Sequence, residues 1–172
     1  MKRAIALSVL LIMGASSPVY AATLTTAPSC STIKVVSVTK GTALPCLNGV
    51  GRTTFEAIRG PVLVNVWGSW CEPCKEEIPR LVDIARLKKI AIVGIDVEER
   101  NMAAGRAFVT LHKMSWPQLY DVKAVTRGIF GMGVPVTWFI DAQGKVTYKQ
   151  IGLFQSDAQI RDLVKKHLGV TL

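Results

Sequence analysis

Residues 64–77 read VNVWGSWCEPCKEE, and this stretch decides the fold of the chain. It begins inside an apolar run, Val62 to Trp67, which is interrupted only by Asn65 and predicts a strand buried on both faces. A helix is predicted after Trp70, because apolar residues recur there at the spacing of one helical face: Ile78, Leu81, Val82 and Ala85. The two cysteines of the stretch therefore lie where a buried strand ends and a helix begins.

Cys71 and Cys74 have the spacing that thiol–disulfide exchange needs. At a helix N-terminus, unpaired N–H groups and the helix dipole stabilise negative charge, which makes a thiolate available near neutral pH. Cys74 follows about one helical turn later, so it can attack the mixed disulfide that Cys71 forms with a partner and release the product. Glu72 and Pro73 complete the active-site motif between them, and proline is tolerated in a first helical turn.

Two other interpretations of this cysteine pair are a plain structural disulfide and half of a zinc site. Zinc usually takes four ligands, often as two closely spaced pairs. The remaining cysteines, Cys30 and Cys46, are not closely spaced, and no histidine is near any cysteine in the sequence. We therefore predict no metal at the pair, and its position between a strand and a helix favours a redox role.

The rest of the chain alternates between strand and helix patterns. Ile90 to Ile95 predicts a second buried strand, and one helical face follows it, formed by Ala104, Ala107, Phe108 and Leu111. Further on come a helix within residues 121–130, a hairpin within 136–151, and a last helix with a Ser156–Gln159 capping box. A short helical turn is also predicted at Thr54 to Arg59. This order predicts an α/β fold with layers around one central sheet.

The amino terminus has the pattern of a secretory signal peptide. Lys2 and Arg3 precede a nearly uncharged apolar run, and small residues flank a cleavage site near Ala21. We expect a signal peptide at 1–21, an N-terminal extension at 22–52 and one domain at 53–172. The run is shorter than the roughly 18 residues of a membrane-spanning helix, although an uncleaved membrane anchor stays open.

The basic charge of the chain does not predict a nucleic-acid partner. Cleavage would remove Lys2 and Arg3 and lower the formal charge from +9 to +7. The remaining basic residues are scattered, and the doublets Lys88–Lys89 and Lys165–Lys166 lie late in predicted helices, where cations suit the helix dipole. Export also argues against nucleic acid.

Two segments carry a resemblance to a known family. Val64 to Glu77 resembles the active site of the TlpA/ResA/CcmG group of thioredoxin-like proteins. Gly133 to Asp141, GVPVTWFID, resembles the segment of the same group that contains a cis-proline. The similarity extends from about Thr53 to Leu168 and implies a thioredoxin fold, with a central mixed sheet flanked by helices. Residues 96–114 fit the helical insertion of that group.

The resemblance also implies roles for individual residues. Cys71 would be the attacking thiol and Cys74 the more buried resolving thiol. Pro135 would be cis and face the two cysteines, and Val134 would offer its backbone to an extended partner peptide. Glu77 matches an acidic residue that could tune the cysteine pKa values or carry a proton, although a solvated surface glutamate is nearly as well supported.

Three further features qualify the resemblance. Trp67 and Trp70 could form an apolar rim for a partner or pack on the site. Thioredoxins themselves usually have an aspartate at the position of Asn65, which cannot ionise, so any proton transfer there must fall to Glu77 or water. Outside the core resemblance, Cys30 and Cys46 are expected to form a structural disulfide that staples the N-terminal extension. A second redox pair that exchanges with Cys71 is the alternative.

The functional expectation is an extracytoplasmic thiol–disulfide oxidoreductase that acts on the thiols and disulfides of exported proteins. The first hypothesis is a reductase, for example one that keeps the haem-binding cysteines of apocytochrome c reduced and is recharged by a membrane thiol carrier. An oxidase that introduces disulfides is the alternative, since the motif alone does not fix the potential. A metal-delivery module on the same fold ranks lower, because the chain has no well-placed histidine; copper binding to the reduced protein that is lost when His112 or His167 is changed would support it. We expect no cofactor and a monomer.

Overall fold

The computed structural model describes residues 27–131 and 133–172, so the predicted signal peptide at 1–21 lies outside the described residues. The strands are β1 (Ala43–Pro45), β2 (Arg52–Thr54), β3 (Val62–Trp67), β4 (Ala91–Val97), β5 (Gln118–Asp121), β6 (Val136–Ile140) and β7 (Val146–Ile151). The helices are α1 (Glu72–Arg86), α2 (Met102–Leu111), α3 (Arg127–Phe130) and α4 (Asp157–Leu168). Short 3-10 turns occur at Cys30–Thr32 and Phe55–Ala57.

A five-stranded mixed sheet in the order β5-β4-β3-β6-β7 forms the centre of the fold. Strand β3 is parallel to β4, and β4 is parallel to β5, whereas β6 is antiparallel to both of its neighbours. All six residues of β3 are buried, as the continuous apolar run predicts for a central strand. The α/β fold with a mixed central sheet is therefore confirmed.

The sheet separates two hydrophobic cores. On one face, which we call the helical face, α1, α2 and α4 pack on alternate strand residues such as Leu63 and Trp67. On the other face, which we call the N-terminal face, the segment before β3 packs together with α3 on the intervening residues such as Val64. Both active-motif cysteines belong to the core of the helical face, and Cys30 and Cys46 belong to the core of the N-terminal face.

The described part of the N-terminal extension packs into the domain. Cys30 and Cys46 form the expected disulfide, and Leu47 donates its N–H to the carbonyl of Gln118 in β5 at 2.8 Å. The boundary expected between residues 52 and 53 falls inside β2, which pairs with β1. Of the helices in the described ranges, none is both apolar enough and long enough to cross a membrane.

The face of α2 that packs on the sheet differs from the predicted one. Gly105, Phe108 and Val109 are buried, whereas Ala107 is exposed and Leu111 is 75% exposed. The reason is a close approach, since a Cβ built on Gly105 would lie 2.0 Å from Oδ2 of Asp96. Because only glycine fits against that carboxyl, the helix turns its glycine side to the sheet.

Two predicted helical segments are shorter than expected. The turn at Thr54 to Arg59 reduces to the 3-10 turn Phe55–Ala57, and the Thr54 side chain makes no capping hydrogen bond. The helix predicted within 121–130 reduces to α3, because the Asp121 carboxylate accepts the N–H groups of Val125 and Thr126, at 2.9 and 2.8 Å, and holds the preceding residues in a turn.

Candidate active site

The cysteine pair lies at the start of α1 on the helical face of the sheet. Cys71 is the N-cap residue, and its Sγ accepts the backbone N–H of Cys74 at 3.2 Å. The two residues form a disulfide in this structure. Cys71 is 4% exposed and Cys74 is fully buried, so Cys71 is the sulfur nearer to solvent. This geometry gives a Cys71 thiolate a helix N-terminus as its electrostatic partner.

The loop before the cysteines is fixed by β4 and the residues after it. Ser69 donates its N–H to Oε1 of Glu99 at 2.5 Å, and Trp70 donates its indole N–H to the carbonyl of Val97 at 3.3 Å. Cys71 donates its N–H to the carbonyl of Gly68 at 3.0 Å. These bonds hold the chain at the entrance of α1 and therefore position the sulfur of Cys71.

The two tryptophans of the motif have different environments. Trp67 is fully buried, stacks on Phe108 with ring centroids 4.9 Å apart and donates its indole N–H to Oε1 of Gln118 at 2.9 Å. The hypothesis that Trp67 forms part of a rim is therefore wrong. Trp70 is 53% exposed even though its N–H is bonded, so its ring remains available to a partner.

A groove runs beside the motif on the surface. Its walls include Trp70 from the motif loop and Val134, and Val66, Val97 and Phe130 contribute to its apolar lining. Glu98 and Arg127 form an ion pair that also lines it. The Val134–Pro135 peptide bond is cis, and the half-buried Val134 packs against both hydrophobic cores, including the one that contains both active-motif cysteines.

Glu77 is a buried carboxyl and not a solvated surface residue. It lies on α1 one turn after Cys74 and is fully buried. Asn65 donates an Nδ2 hydrogen to its Oε1 at 2.7 Å, and the N–H of Phe154 donates to its Oε2 at 3.1 Å. Desolvation by burial raises the pKa of Glu77 from 4.5 to about 7, against the lowering effect of these two hydrogen bonds and of the Arg80 charge.

Asp96 is a second buried carboxyl on the helical face, beside Trp67 in the strand register. Within the described residues neither of its carboxyl oxygens has a hydrogen-bond partner. Desolvation by burial, together with the negative charge of Glu99, raises the pKa of Asp96 to about 9. At neutral pH this carboxyl is therefore protonated and uncharged.

The histidines considered for metal delivery lie against aromatic rings. His112 packs on Phe108 with centroids 4.1 Å apart, and His167 stacks on Tyr148 at 4.4 Å. Over residues 27–131 and 133–172, no three or more His, Cys, Asp or Glu side chains are grouped so that they could hold a metal ion.

Residues 39–149 match the family model described as AhpC/TSA family. The chain belongs to this family. A thiol:disulfide interchange protein DsbE from Pseudomonas fluorescens biotype C is 32% identical over 131 residues, which are 72% of this chain and 70% of that protein. A thiol-disulfide oxidoreductase ResA from Bacillus thuringiensis (strain Al Hakam) is 31% identical over 109 residues, 61% of this chain. The match spans 62% of the length of that ResA.

A solved structure supports the thioredoxin-like fold independently of close sequence similarity. The chain superposes on a secreted disulfide oxidoreductase of Mycobacterium tuberculosis with a TM-score of 0.63 at 21% identity. The superposition covers 73% of this chain and 95% of that one. This superposition confirms the predicted thioredoxin fold, and the ResA and DsbE relatives confirm the resemblance to the TlpA/ResA/CcmG group.

Sequence reasoning missed several residues that build the site. Thr137 accepts a hydrogen from Asn65 at 3.0 Å, and Gln118 and Glu99 fix Trp67 and the motif loop. One signal could have pointed to Thr137: a polar residue inside a buried strand needs a polar partner, and Asn65 and Thr137 are both polar residues in predicted strands, whereas no strand was predicted at Gln118. Glu99 follows a strand, where no periodic pattern marks it.

Proposed function

We propose that this chain is an exported thiol–disulfide oxidoreductase that reduces disulfides of extracytoplasmic proteins through Cys71 and Cys74. The observation that carries the proposal is the position of Cys71 as the N-cap of α1, with the buried Cys74 bonded to it. The names of the ResA and DsbE relatives support the reaction class. The signal-peptide pattern and the Cys30–Cys46 disulfide support export, because structural disulfides persist in oxidising compartments.

The reaction proceeds in two exchange steps. The Cys71 thiolate attacks one sulfur of a partner disulfide, the partner bond breaks, and the other partner sulfur leaves as a thiolate. Cys74 then loses its proton and attacks Sγ of Cys71, which releases the second partner sulfur. The partner gains two electrons, and the chain ends with the Cys71–Cys74 disulfide. A second dithiol protein, which we assign to the membrane, must reduce this disulfide again.

Glu77 is the proposed acceptor for the Cys74 proton. Both residues are fully buried and lie three positions apart on α1, where side chains are neighbours on one face. A pKa of about 7 suits a group that takes up and returns a proton near neutral pH. Asn65, which holds Glu77, cannot do this itself because an amide does not ionise.

The partner peptide is proposed to lie along the groove beside the motif. Val134 would pair its backbone with an extended segment of the partner, in the manner of an added strand. Trp70 would cover an apolar residue next to the target cysteine, since half of its surface is exposed. Apocytochrome c, whose haem-binding cysteines must be reduced, is the proposed substrate class.

The direction of electron flow follows from how well the Cys71 thiolate is stabilised. A strong oxidant of this fold stabilises its reduced form. In this chain the start of α1 and the Cys74 N–H, which bonds to Sγ of Cys71 in the disulfide form, are the groups that would stabilise the thiolate, and the potential of the pair decides between reductase and oxidase.

The reduction potential of the pair tests the direction. The protein would be equilibrated with thiol buffers, and alkylation with peptide-level mass spectrometry would follow Cys71 and Cys74 separately from Cys30 and Cys46. A potential near roughly −270 mV or below supports a reductase, and one near roughly −120 mV would instead make the chain an oxidase that introduces disulfides.

A further inference from the structure

Asn65 has an unbalanced set of hydrogen bonds for a fully buried amide. Its Nδ2 donates both hydrogens, one to Oε1 of Glu77 at 2.7 Å and one to Oγ1 of Thr137 at 3.0 Å. Its Oδ1 has no partner within the described residues. Buried polar atoms are nearly always bonded, so the unused acceptor next to a titratable carboxyl asks for an explanation.

The observed arrangement suits only the ionised form of Glu77. A carboxylate accepts hydrogen bonds at both oxygens, whereas a carboxylic acid must also donate one. Oε2 of Glu77 faces the N–H of Phe154, which cannot accept. The proton must then sit on Oε1, where it meets the Nδ2 hydrogens of Asn65, a donor against a donor.

We propose that the Asn65 amide makes a half turn when Glu77 takes up a proton, so that Oδ1 takes the place of Nδ2. In the turned state, Oδ1 accepts the acid O–H of Glu77 and the hydroxyl hydrogen of Thr137. The amide oxygen and nitrogen are nearly the same size, and a threonine hydroxyl can donate or accept, so the exchange needs no other movement. In the observed state the amide donates two hydrogen bonds and leaves Oδ1 unpaired, and in the turned state it accepts two and leaves Nδ2 unpaired.

This inference rests on the proposed function, because the proton that Glu77 takes up would come from Cys74. Asn65 then acts as a positioning residue that lets one buried carboxyl hold either protonation state in the same place. An aspartate at position 65 could not do this when ionised, because it would accept and never donate, and its charge would repel that of Glu77.

Few groups other than Asn65 act on Glu77. Arg80, on the same helix, is the charge that lowers its pKa. From strand β6, the uncharged Thr137 is hydrogen-bonded to Asn65, which in turn contacts Glu77. From the segment before α4, the N–H of Phe154 is the group that bonds Glu77. The cysteines one turn earlier on α1 do not titrate while they form a disulfide, so the oxidised protein isolates the event at Glu77.

The test is side-chain NMR of the oxidised wild-type chain between about pH 5 and about pH 9, a range that brackets the Glu77 transition. The carboxyl carbon of Glu77 reports its protonation, and the Nδ2 hydrogens of Asn65 report the amide. On acidification we expect the resonances of these hydrogens to move upfield and their contacts with the Thr137 side chain to disappear. The pH midpoint of this change should equal the midpoint of the Glu77 carboxyl titration. Asn101 is the matched control, because its Oδ1 accepts the Ala104 N–H at 3.0 Å and should keep it throughout.

The variant Glu77→Gln supplies the second measurement, since its amide cannot titrate. In that variant the Asn65 resonances should not change with pH. The proposal is overturned if the Nδ2 contacts with Thr137 persist across the Glu77 titration, or if the Asn65 transition survives in Glu77→Gln. Neither result depends on redox activity. The half turn of the Asn65 amide can therefore be refuted while the cysteine pair still cycles between its oxidised and reduced forms. A cysteine pair that does not cycle would refute the proposed function and not the half turn.

Discussion

The substitution Glu77→Gln should make the chain more stable at alkaline pH, because it removes a carboxyl that must ionise inside the core. The introduced glutamine keeps the shape of the side chain, and its oxygen can still accept the Phe154 N–H while its NH2 group donates to the Asn65 amide in the turned state. In the wild type, burial holds the pKa of Glu77 near 7, whereas the ordinary pKa of 4.5 applies when the chain unfolds. Between these values the unfolded state releases its proton while the folded state retains it.

The sign and size of the effect follow from this difference in pKa. A raised folded-state pKa contributes stability that is fully present below pH 4.5 and is lost as the pH rises through about 7. At about 1.4 kcal/mol per pH unit, the loss is about 3 kcal/mol. Glutamine has no such loss, so the free energy of unfolding of the variant should exceed that of the wild type by about 3 kcal/mol more at pH 8 than at pH 4.

Urea unfolding of the oxidised proteins at several pH values measures this difference. Asp96 also titrates in the core, but it is present in both proteins and its contribution cancels in the comparison. The exposed neighbour Glu76 provides the matched control, since Glu76→Gln should leave the pH profile of the wild type unchanged. Parallel wild-type and Glu77→Gln profiles would refute the burial and the raised pKa of Glu77.

Three further predictions concern the rest of the structure. Replacing Cys30 and Cys46 by alanine should lower the free energy of unfolding by about 3 kcal/mol. The reduction potential of the Cys71–Cys74 pair should stay the same, because the two disulfides lie on opposite faces of the sheet. A shifted reduction potential would contradict this separation. Gly105→Ala should lower the free energy of unfolding, measured in urea, by about 1–3 kcal/mol, because its Cβ would lie 2.0 Å from the Asp96 carboxyl. If this clash is the cause, adding Asp96→Ala should recover part of the lost stability. Trp70→Ala should raise KM for a disulfide-bonded peptide and leave thermal stability nearly unchanged, as the ring is 53% exposed; an equal KM would exclude Trp70 from the partner surface.

The central part of the fold could be predicted because its signals are local. A continuous apolar run indicates a central strand, and Cys71 at a strand–helix junction indicates an N-cap. The final helix was also predictable, since Ser156 accepts the N–H of Gln159 at 3.1 Å as the capping box requires. The hairpin of β6 and β7 follows from two extended runs on either side of a turn at residues 141–144.

The failures come from side-chain contacts that the hydrophobic periodicity does not encode. The orientation of α2 depends on the space that Gly105 leaves for Asp96, a residue in a different element. The loss of most of the helix at 121–130 depends on the carboxylate of Asp121, which bonds the loop before α3. In both places a side chain overrides the helical periodicity by satisfying a steric or hydrogen-bonding demand.

Some features of the candidate site could be predicted from the sequence, and others could not. The cysteine pair was evident from spacing, and the resemblance pointed to Glu77. The burial of Glu77 was not evident, because a glutamate one turn from Cys74 on an amphipathic helix can face either solvent or sheet. The hydrogen bond from Asn65 decides between them, and it joins two elements through side chains that only the folded structure brings together.

The most direct test of the central claim is to trap the exchange intermediate. With Cys74→Ala, a reduced Cys71 should form a lasting mixed disulfide with a disulfide-bonded partner peptide, because the resolving thiol is gone. The matched variant Cys71→Ala should form little or none, since Cys74 is fully buried. Mass spectrometry of the adducts identifies the linked cysteine. An adduct through Cys71 alone is the predicted result, and adducts through Cys74, or none in either variant, would contradict the assignment of Cys71 as the attacking thiol.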